Sequence, residues 1–205
     1  MKRLILASQS PARAALLKQV GYSFTVEPSN YNEDMSLAMA PADLAVHLAT
    51  GKAQDIARQY ADAVIVAADT FVIYQGKNLG KPHTEANAKA MLRSLSGKTH
   101  QIITGICVMD TARNKTYAES QICTIRLRTI TDKEIDDYVA TKEPLEKAGA
   151  YAIGLKAAVF VEHIEGDFYT VIGLPLSRLS MILGECGVVP KWIKKKPCSG
   201  FISLA

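Results

Sequence analysis

The chain has 205 residues, of which 48% are apolar and 21% charged, the profile of an ordinary globular protein that buries roughly 70% of its unfolded surface and needs no covalent staple. No apolar run approaches the roughly 20 residues that span a bilayer, which argues against a membrane protein. The net charge of +4 belongs to the end of the chain: removing Lys191, Lys194, Lys195 and Lys196 leaves 20 basic against 20 acidic residues, so the body lacks the basic face of a nucleic-acid binder.

The first predicted element is a strand at Leu4–Ala7, an apolar run too short for a signal-peptide core. Pro11 then opens a helix with Ser10 as its N-cap, Leu16, Leu17 and Val20 as its apolar stripe and Gly21 as its stop. A strand running into a helix N-terminus makes an anion site, and Arg13 in the first turn either adds positive charge to it or is simply solvated. Tyr22–Val26 alternates like a strand, and a turn-rich segment from Pro28 leads to Glu33 and Asp34. A helix follows from Pro41 to about Tyr60, interrupted at Gly51, with Lys52 next to it.

Val64–Asp69 is a short, β-branched run that fits a buried strand ending in a carboxylate, with a second apolar run from Thr70 to Tyr74. At the carboxyl end of a strand, Asp69 reads either as an acid that holds a metal and activates water or as a turn aspartate that caps a backbone N–H. Gln75–Asn78 is a hairpin turn, and Gly80 and Pro82 restrict the backbone on either side of Lys81. A helix with Thr84 as cap and Gly97 as stop is followed by two long strands, Thr99–Met109 and Tyr117–Ile130. Thr131 and Glu134 form a capping box, Glu143–Tyr151 is a loop, and Ala157–Glu162 with Phe168–Ile172 reads as a strand pair. A final helix runs through Leu179 and Leu183 to near Gly187. The reading places one domain at residues 1–189 and a basic, mobile tail at 190–205. The four cysteines, Cys107, Cys123, Cys186 and Cys198, form no C-x-x-C pair, so a zinc site and a disulfide framework are both unexpected and a reducing, cytoplasmic setting is expected.

Together, the helix start with Arg13, the acids Glu33 and Asp69, and the lysines Lys52 and Lys81 make a candidate site for a metal-bound polyphosphate. Carboxylates hold the metal through oxygen while the cations neutralise phosphate charge. Neither the P-loop pattern nor the dinucleotide glycine pattern is present.

Several stretches then resemble one known family. They are L-I-L-A-S-Q-S-P-A-R at Leu4–Arg13, Asn32–Glu33, Gly51–Lys52–Ala53, Ala68–Asp69–Thr70 and the run Leu79, Gly80, Lys81, Pro82. Further matches are L-S-G-K-T-H at Leu95–His100, Thr104–Gly105, E-P-L-E-K-A-G-A-Y at Glu143–Tyr151 and G-L-P-L at Gly173–Leu176. In this order they resemble the Maf family of nucleoside triphosphate pyrophosphatases, also called septum-formation inhibitors, from about Leu4 to Leu183.

The resemblance implies an α/β fold of the inosine-triphosphatase type, with a long central mixed sheet flanked by helices and a cleft between two lobes. It implies hydrolysis of a nucleoside triphosphate to the monophosphate and pyrophosphate with Mg²⁺ or Mn²⁺. Asp69 would be the general base and, with Glu33, a metal ligand; Ser8, Ser10, Arg13, Lys52 and Lys81 would bind the phosphates. The substrate is then the expected partner, with no nucleic acid and no membrane, and a homodimer stands as an option for the assembly. Thr70 is similar to the dTTP/UTP branch, whereas Ala12 and Gly154 match neither that branch, which has arginine and glutamine there, nor the 7-methyl-GTP branch. Those departures also motivate an alternative, a nucleotide-binding regulator of cell division with little turnover.

Overall fold

The computed structural model describes residues 2–193. Near one edge of its sheet, β1 (Leu4–Leu6) lies between the edge strand β2 (Thr25–Val26) and β3 (Val64–Tyr74) and runs parallel to both. The sheet continues from β3 through β5 (Thr99–Asp110), β6 (Lys115–Leu127) and β7 (Val161–Glu165), all antiparallel, while the short β4 (Lys77–Asn78) folds back on the end of β3. This is the long mixed sheet expected from the sequence, with seven strands. The helices are α1 (Pro11–Gln19), α2 (Pro41–Ala57), α3 (Glu85–Leu95), α4 (Asp132–Ala140), α5 (Phe168–Ile172) and α6 (Leu176–Glu185).

The alternation of β3 sorts its side chains between two faces. Val64, Val66 and Ala68 pack with Leu16 and Leu17 of α1 and Leu179, Ile182 and Leu183 of α6. Ile65 and Ala67 face the other way, against Ala49, Ala53 and Ile56 of α2, and Phe71 and Ile73 continue on that side against Leu44 and Leu48. On the first face the core does not continue past Ala68. Val72 belongs instead to a separate cluster with Leu92 and Leu95 of α3 and Ile135 and Val139 of α4. That face therefore divides at Thr70, and Ile172 touches the clusters on both sides, which gives the two-lobed division the resemblance implies.

Two expectations are corrected. Val64–Asp69 is not a strand that ends at its acid, because β5 pairs with β3 without a break from Val64↔Asp110 through Asp69↔Gly105 to Ile73↔Gln101. What ends is β1, whose last partner is Leu6↔Val66, so Asp69 lies where β3 has lost its neighbour on one edge while β5 still pairs on the other. Second, Phe168–Ile172 is a helix and not a strand. Asp167 accepts from the amides of Tyr169 and Thr170, and Gly173 stops the turn in the left-handed region, so capping at both ends overrides the β-branched composition. The strand of this region is β7, displaced toward the C-terminus from the expected Ala157–Glu162, and Lys156–Phe160 is a 3-10 turn.

The capping box at Thr131 and Glu134 is present in both halves, and Thr84 and Ser10 cap α3 and α1 as expected. Cys107, Cys123 and Cys186 are free and buried. The tail is described only to Ile193; there Lys191 N–H donates to the Gly21 carbonyl and Trp192 Nε1–H to that of Val20, at 2.9 Å each. Lys194, Lys195, Lys196 and Cys198 lie outside the described residues.

One buried group is unusual. His100 is 3% exposed; its Nε2 lies 2.6 Å from the Tyr151 hydroxyl, and its Nδ1 has no hydrogen-bond partner among the described residues. Burial lowers its pKa to about 4, so the ring is neutral near pH 7.

Candidate active site

The site forms where β1 stops and the two helices on either face of β3 come level with Asp69 and Thr70. β1 leads into α1 through Ser8, Gln9 and Ser10. The Ser10 amide donates to Ser8 Oγ at 3.2 Å, and the Arg13 amide donates to Ser10 Oγ at 3.4 Å. The N-terminus of α1 thus spends some of its amides on its own capping serines, a smaller anion site than the bare helix start predicts.

Arg13 is held by three hydrogen bonds: Nε–H to the Gly173 carbonyl at 2.8 Å, Nη1–H to Ser8 Oγ at 3.2 Å, and Nη2–H to Thr70 Oγ1 at 3.0 Å. The guanidinium therefore ties α1, β3 and the end of α5 together. A guanidinium has more N–H groups than these, so donors remain for a ligand. Burial lowers the Arg13 pKa, with Asp69 and Glu33 acting against it, and an arginine stays charged through such a shift. Thr70 is in turn fixed by Thr104, 2.9 Å away between hydroxyl oxygens, and the Thr104 hydroxyl donates to the Thr170 carbonyl at 2.7 Å. Thr104 is fully buried. The sequence assigns it no role, although Thr104–Gly105 is one of the stretches that carry the family resemblance; its pairing opposite Thr70 comes only with the sheet.

Asp69 is 9% exposed, and its Oδ1 accepts a hydrogen bond from Lys52 Nζ at 2.6 Å. The same ammonium lies 2.9 Å from Glu33 Oε1. Burial raises the Asp69 pKa first; Lys52 and Arg13 pull it down, and the Glu33 charge adds to the rise. The carboxylate is thus more basic than burial-free aspartate while cations on two sides keep it ionisable. Lys52 reaches it because α2 lies close to the sheet: a Cβ on Gly105, the partner of Asp69, would fall 2.3 Å from the Ala45 carbonyl carbon.

Gly51, read from the sequence as an interruption of α2, is inside the helix. Such a glycine costs about 1 kcal/mol against alanine, and here the Tyr31 ring occupies its side, 2.3 Å from where a Cβ would stand.

The structure therefore brings together Ser8, Ser10, Arg13, Thr70, Lys52, Asp69 and Glu33. Lys81 is not joined to them: it is exposed and pairs with Glu146 at 3.2 Å. Ala12 is exposed in the first turn of α1. Gly154 lies against Ile172, whose Cδ1 is 3.1 Å from the position of a Cβ, and Ile172 adjoins the Gly173 carbonyl that anchors Arg13.

The donor set suits a hard divalent cation. Asp69 and Glu33 aim carboxylate oxygens at one cationic point, now the Lys52 ammonium, and Mg²⁺ is commonly bound by one or two carboxylates with water and substrate phosphates completing its shell. Among the described residues no group of three or more His, Cys, Asp or Glu gathers.

A family model described as Maf-like protein matches residues 3–186. A protein of Bacillus cereus (strain ATCC 10987 / NRS 248) named dTTP/UTP pyrophosphatase is 44% identical over 179 residues, 87% of each chain. Proteins of the same name are 43% identical over 92% of this chain and 96% of theirs in Methanosarcina mazei, and 44% identical over 93% of this chain and all of theirs in Bacillus pumilus. Among solved structures, the Ham1 protein of Staphylococcus aureus matches at a TM-score of 0.44 and 12% identity, covering 62% of this chain and 72% of that one, a likeness too slight to argue from.

Proposed function

The chain belongs to the Maf-like protein family, and we propose that it hydrolyses dTTP or UTP to the nucleoside monophosphate and pyrophosphate. The observation that carries this reading is the buried Asp69 held 2.6 Å from Lys52 and flanked by Glu33 and Arg13, in a chain 44% identical to proteins named dTTP/UTP pyrophosphatase. Asp69 takes a proton from water, the water oxygen bonds to the α-phosphorus, and the bond from that phosphorus to the bridging oxygen breaks with its electron pair leaving on pyrophosphate. Burial favours Asp69 as the proton acceptor, because the carboxyl it becomes carries no charge. Arg13 and Lys52 supply positive charge to a triphosphate whose charge moves toward the leaving group. Asp69 and Glu33 are the residues that would hold Mg²⁺ or Mn²⁺, and a bound ion would neutralise phosphate charge and lower the pKa of water.

Lys81 enters the reading as a phosphate ligand that exchanges Glu146 for substrate, at little cost because both side chains of that pair are exposed. Thr70 contributes through Arg13, whose guanidinium it orients. Ala12 and Gly154 leave the base-facing positions small, so discrimination among bases is weaker than in relatives with arginine and glutamine there.

Pyrophosphate release measured over dTTP, UTP, CTP and 7-methyl-GTP with Mg²⁺ or Mn²⁺ tests the proposal. Turnover is expected on dTTP and UTP, with CTP within about tenfold of them, a difference of ~1.4 kcal/mol. Nucleotide binding by calorimetry with no release on any substrate would support the regulatory alternative instead. Arg13→Lys is expected to raise KM for dTTP about tenfold and to lower the melting temperature by several degrees, because an ammonium cannot span the oxygens of Gly173, Ser8 and Thr70. Steady-state kinetics and a thermal melt check both.

A further inference from the structure

Glu33 sits on a segment with no helix or strand from Glu27 to Asp34, so no backbone ladder fixes its carboxylate. The side-chain contacts that anchor residues 29–31 beside it run mainly to α2. Asp55 accepts from the Ser29 hydroxyl at 2.9 Å and from the Asn30 amide at 2.8 Å, and the Tyr31 amide donates to Ser29 Oγ at 2.9 Å. The Tyr31 ring then lies over Gly51, with ring atoms 2.3, 2.5 and 2.6 Å from the position of a Cβ, and its hydroxyl is 3.3 Å from His47 Nε2. His47, Gly51 and Asp55 recur every fourth residue and so form one stripe along α2. Lys52 is the neighbour of Gly51, and Glu33 follows Tyr31 by two positions. The helix that delivers the ammonium thus also grips the loop that delivers the carboxylate to it.

We propose that Tyr31, Gly51 and Asp55 are positioning residues that set Glu33 against Lys52; the inference rests on the reading of Glu33 as an acid of the catalytic cluster. Gly51 is required there because any side chain displaces the Tyr31 ring and, with it, Glu33. Asp55 is a second grip on the same loop, independent of the ring.

Gly51→Ala separates positioning from structural support, since alanine strengthens a helix while its methyl group expels the ring. The variant is expected to melt at or above the wild-type temperature, to exchange its amides at 29–33 at least tenfold faster, and to turn over dTTP at least tenfold more slowly. Placed in a Glu33→Gln background it should cause no further loss, because both changes act through one carboxylate. Asp55→Ala should give the same acceleration of exchange through the second grip. Unchanged exchange rates in both variants, or a full tenfold loss on top of Glu33→Gln, would overturn the proposal. If Glu33→Gln alone retains full turnover, the catalytic assignment of Glu33 fails, and the exchange rates still decide whether the grip exists.

Discussion

Replacing Asp69 with asparagine lowers pyrophosphate release about a thousandfold and leaves the melting temperature unchanged or higher. The loss follows from removing a general base, worth roughly 10² to 10⁴ in rate, and a thousandfold is about 4 kcal/mol of barrier. Folding is spared because asparagine keeps an oxygen for Lys52, which also retains Glu33 at 2.9 Å. The direction of the stability change follows from the Asp69 pKa, which burial raises. A carboxyl whose folded pKa is raised binds its proton more readily in the folded chain, so ionising it as pH rises weakens the fold. At neutral pH the uncharged amide avoids that cost. Single-turnover assays and thermal melts on one protein preparation read both halves, and a variant that loses activity only by unfolding would contradict the account.

The second large effect lies away from the site, at His100. Its folded pKa of about 4 stands below the ordinary 6.5, so between these values the unfolded chain takes up a proton that the folded chain refuses. Stability is full above pH 6.5 and falls as the pH drops toward 4, by about 3 kcal/mol in all. Asp69 contributes with the opposite slope, so the difference between wild type and His100→Gln isolates the histidine. The variant retains a polar partner for the Tyr151 hydroxyl and should lose most of the dependence. Urea denaturation at pH 7.5 and pH 4.5 is the check, and parallel curves for the two proteins would show that His100 does not titrate in this way.

Much of the fold was legible because local signals agreed with the tertiary ones. Ser10 and Pro11, Thr84, and Thr131 with Glu134 mark helix starts by side-chain chemistry that acts within a few residues, and each cap is formed. Phe168–Ile172 was misread because its β-branched composition is a weak signal, while its determinant is the capping pair Asp167 and Gly173. Asp69 was identified as the central acid, but its setting was not. The strand continues through it because β5 pairs along its whole length, and the opening comes from the short β1, a long-range fact that no window around Asp69 contains.

The site was legible in the same uneven way. Arg13, Lys52, Glu33 and Asp69 come from three loops or helices and one strand, and the motifs that carry the family resemblance named them before geometry joined them. The residues that hold them, Thr104 behind Thr70 and Tyr31 with Asp55 behind Glu33, act through contacts 25 or more positions apart in most cases, as with Asn30 and Asp55, and even the Thr104–Gly105 match says nothing of what Thr104 supports. Gly51 is the clearest instance: in sequence it looks like a flaw in α2, and in space it is the seat of the Tyr31 ring.

Hydrolysis of dTTP in ¹⁸O-labelled water, followed by mass analysis of the products, shows which phosphorus the water attacks and whether Asp69 is needed. Attack at the α-phosphorus gives equimolar dTMP and pyrophosphate, with the label carried by dTMP, and both products are lost in Asp69→Asn. Label in pyrophosphate, formation of dTDP with orthophosphate, or undiminished labelled dTMP from the Asp69→Asn protein would contradict this mechanism.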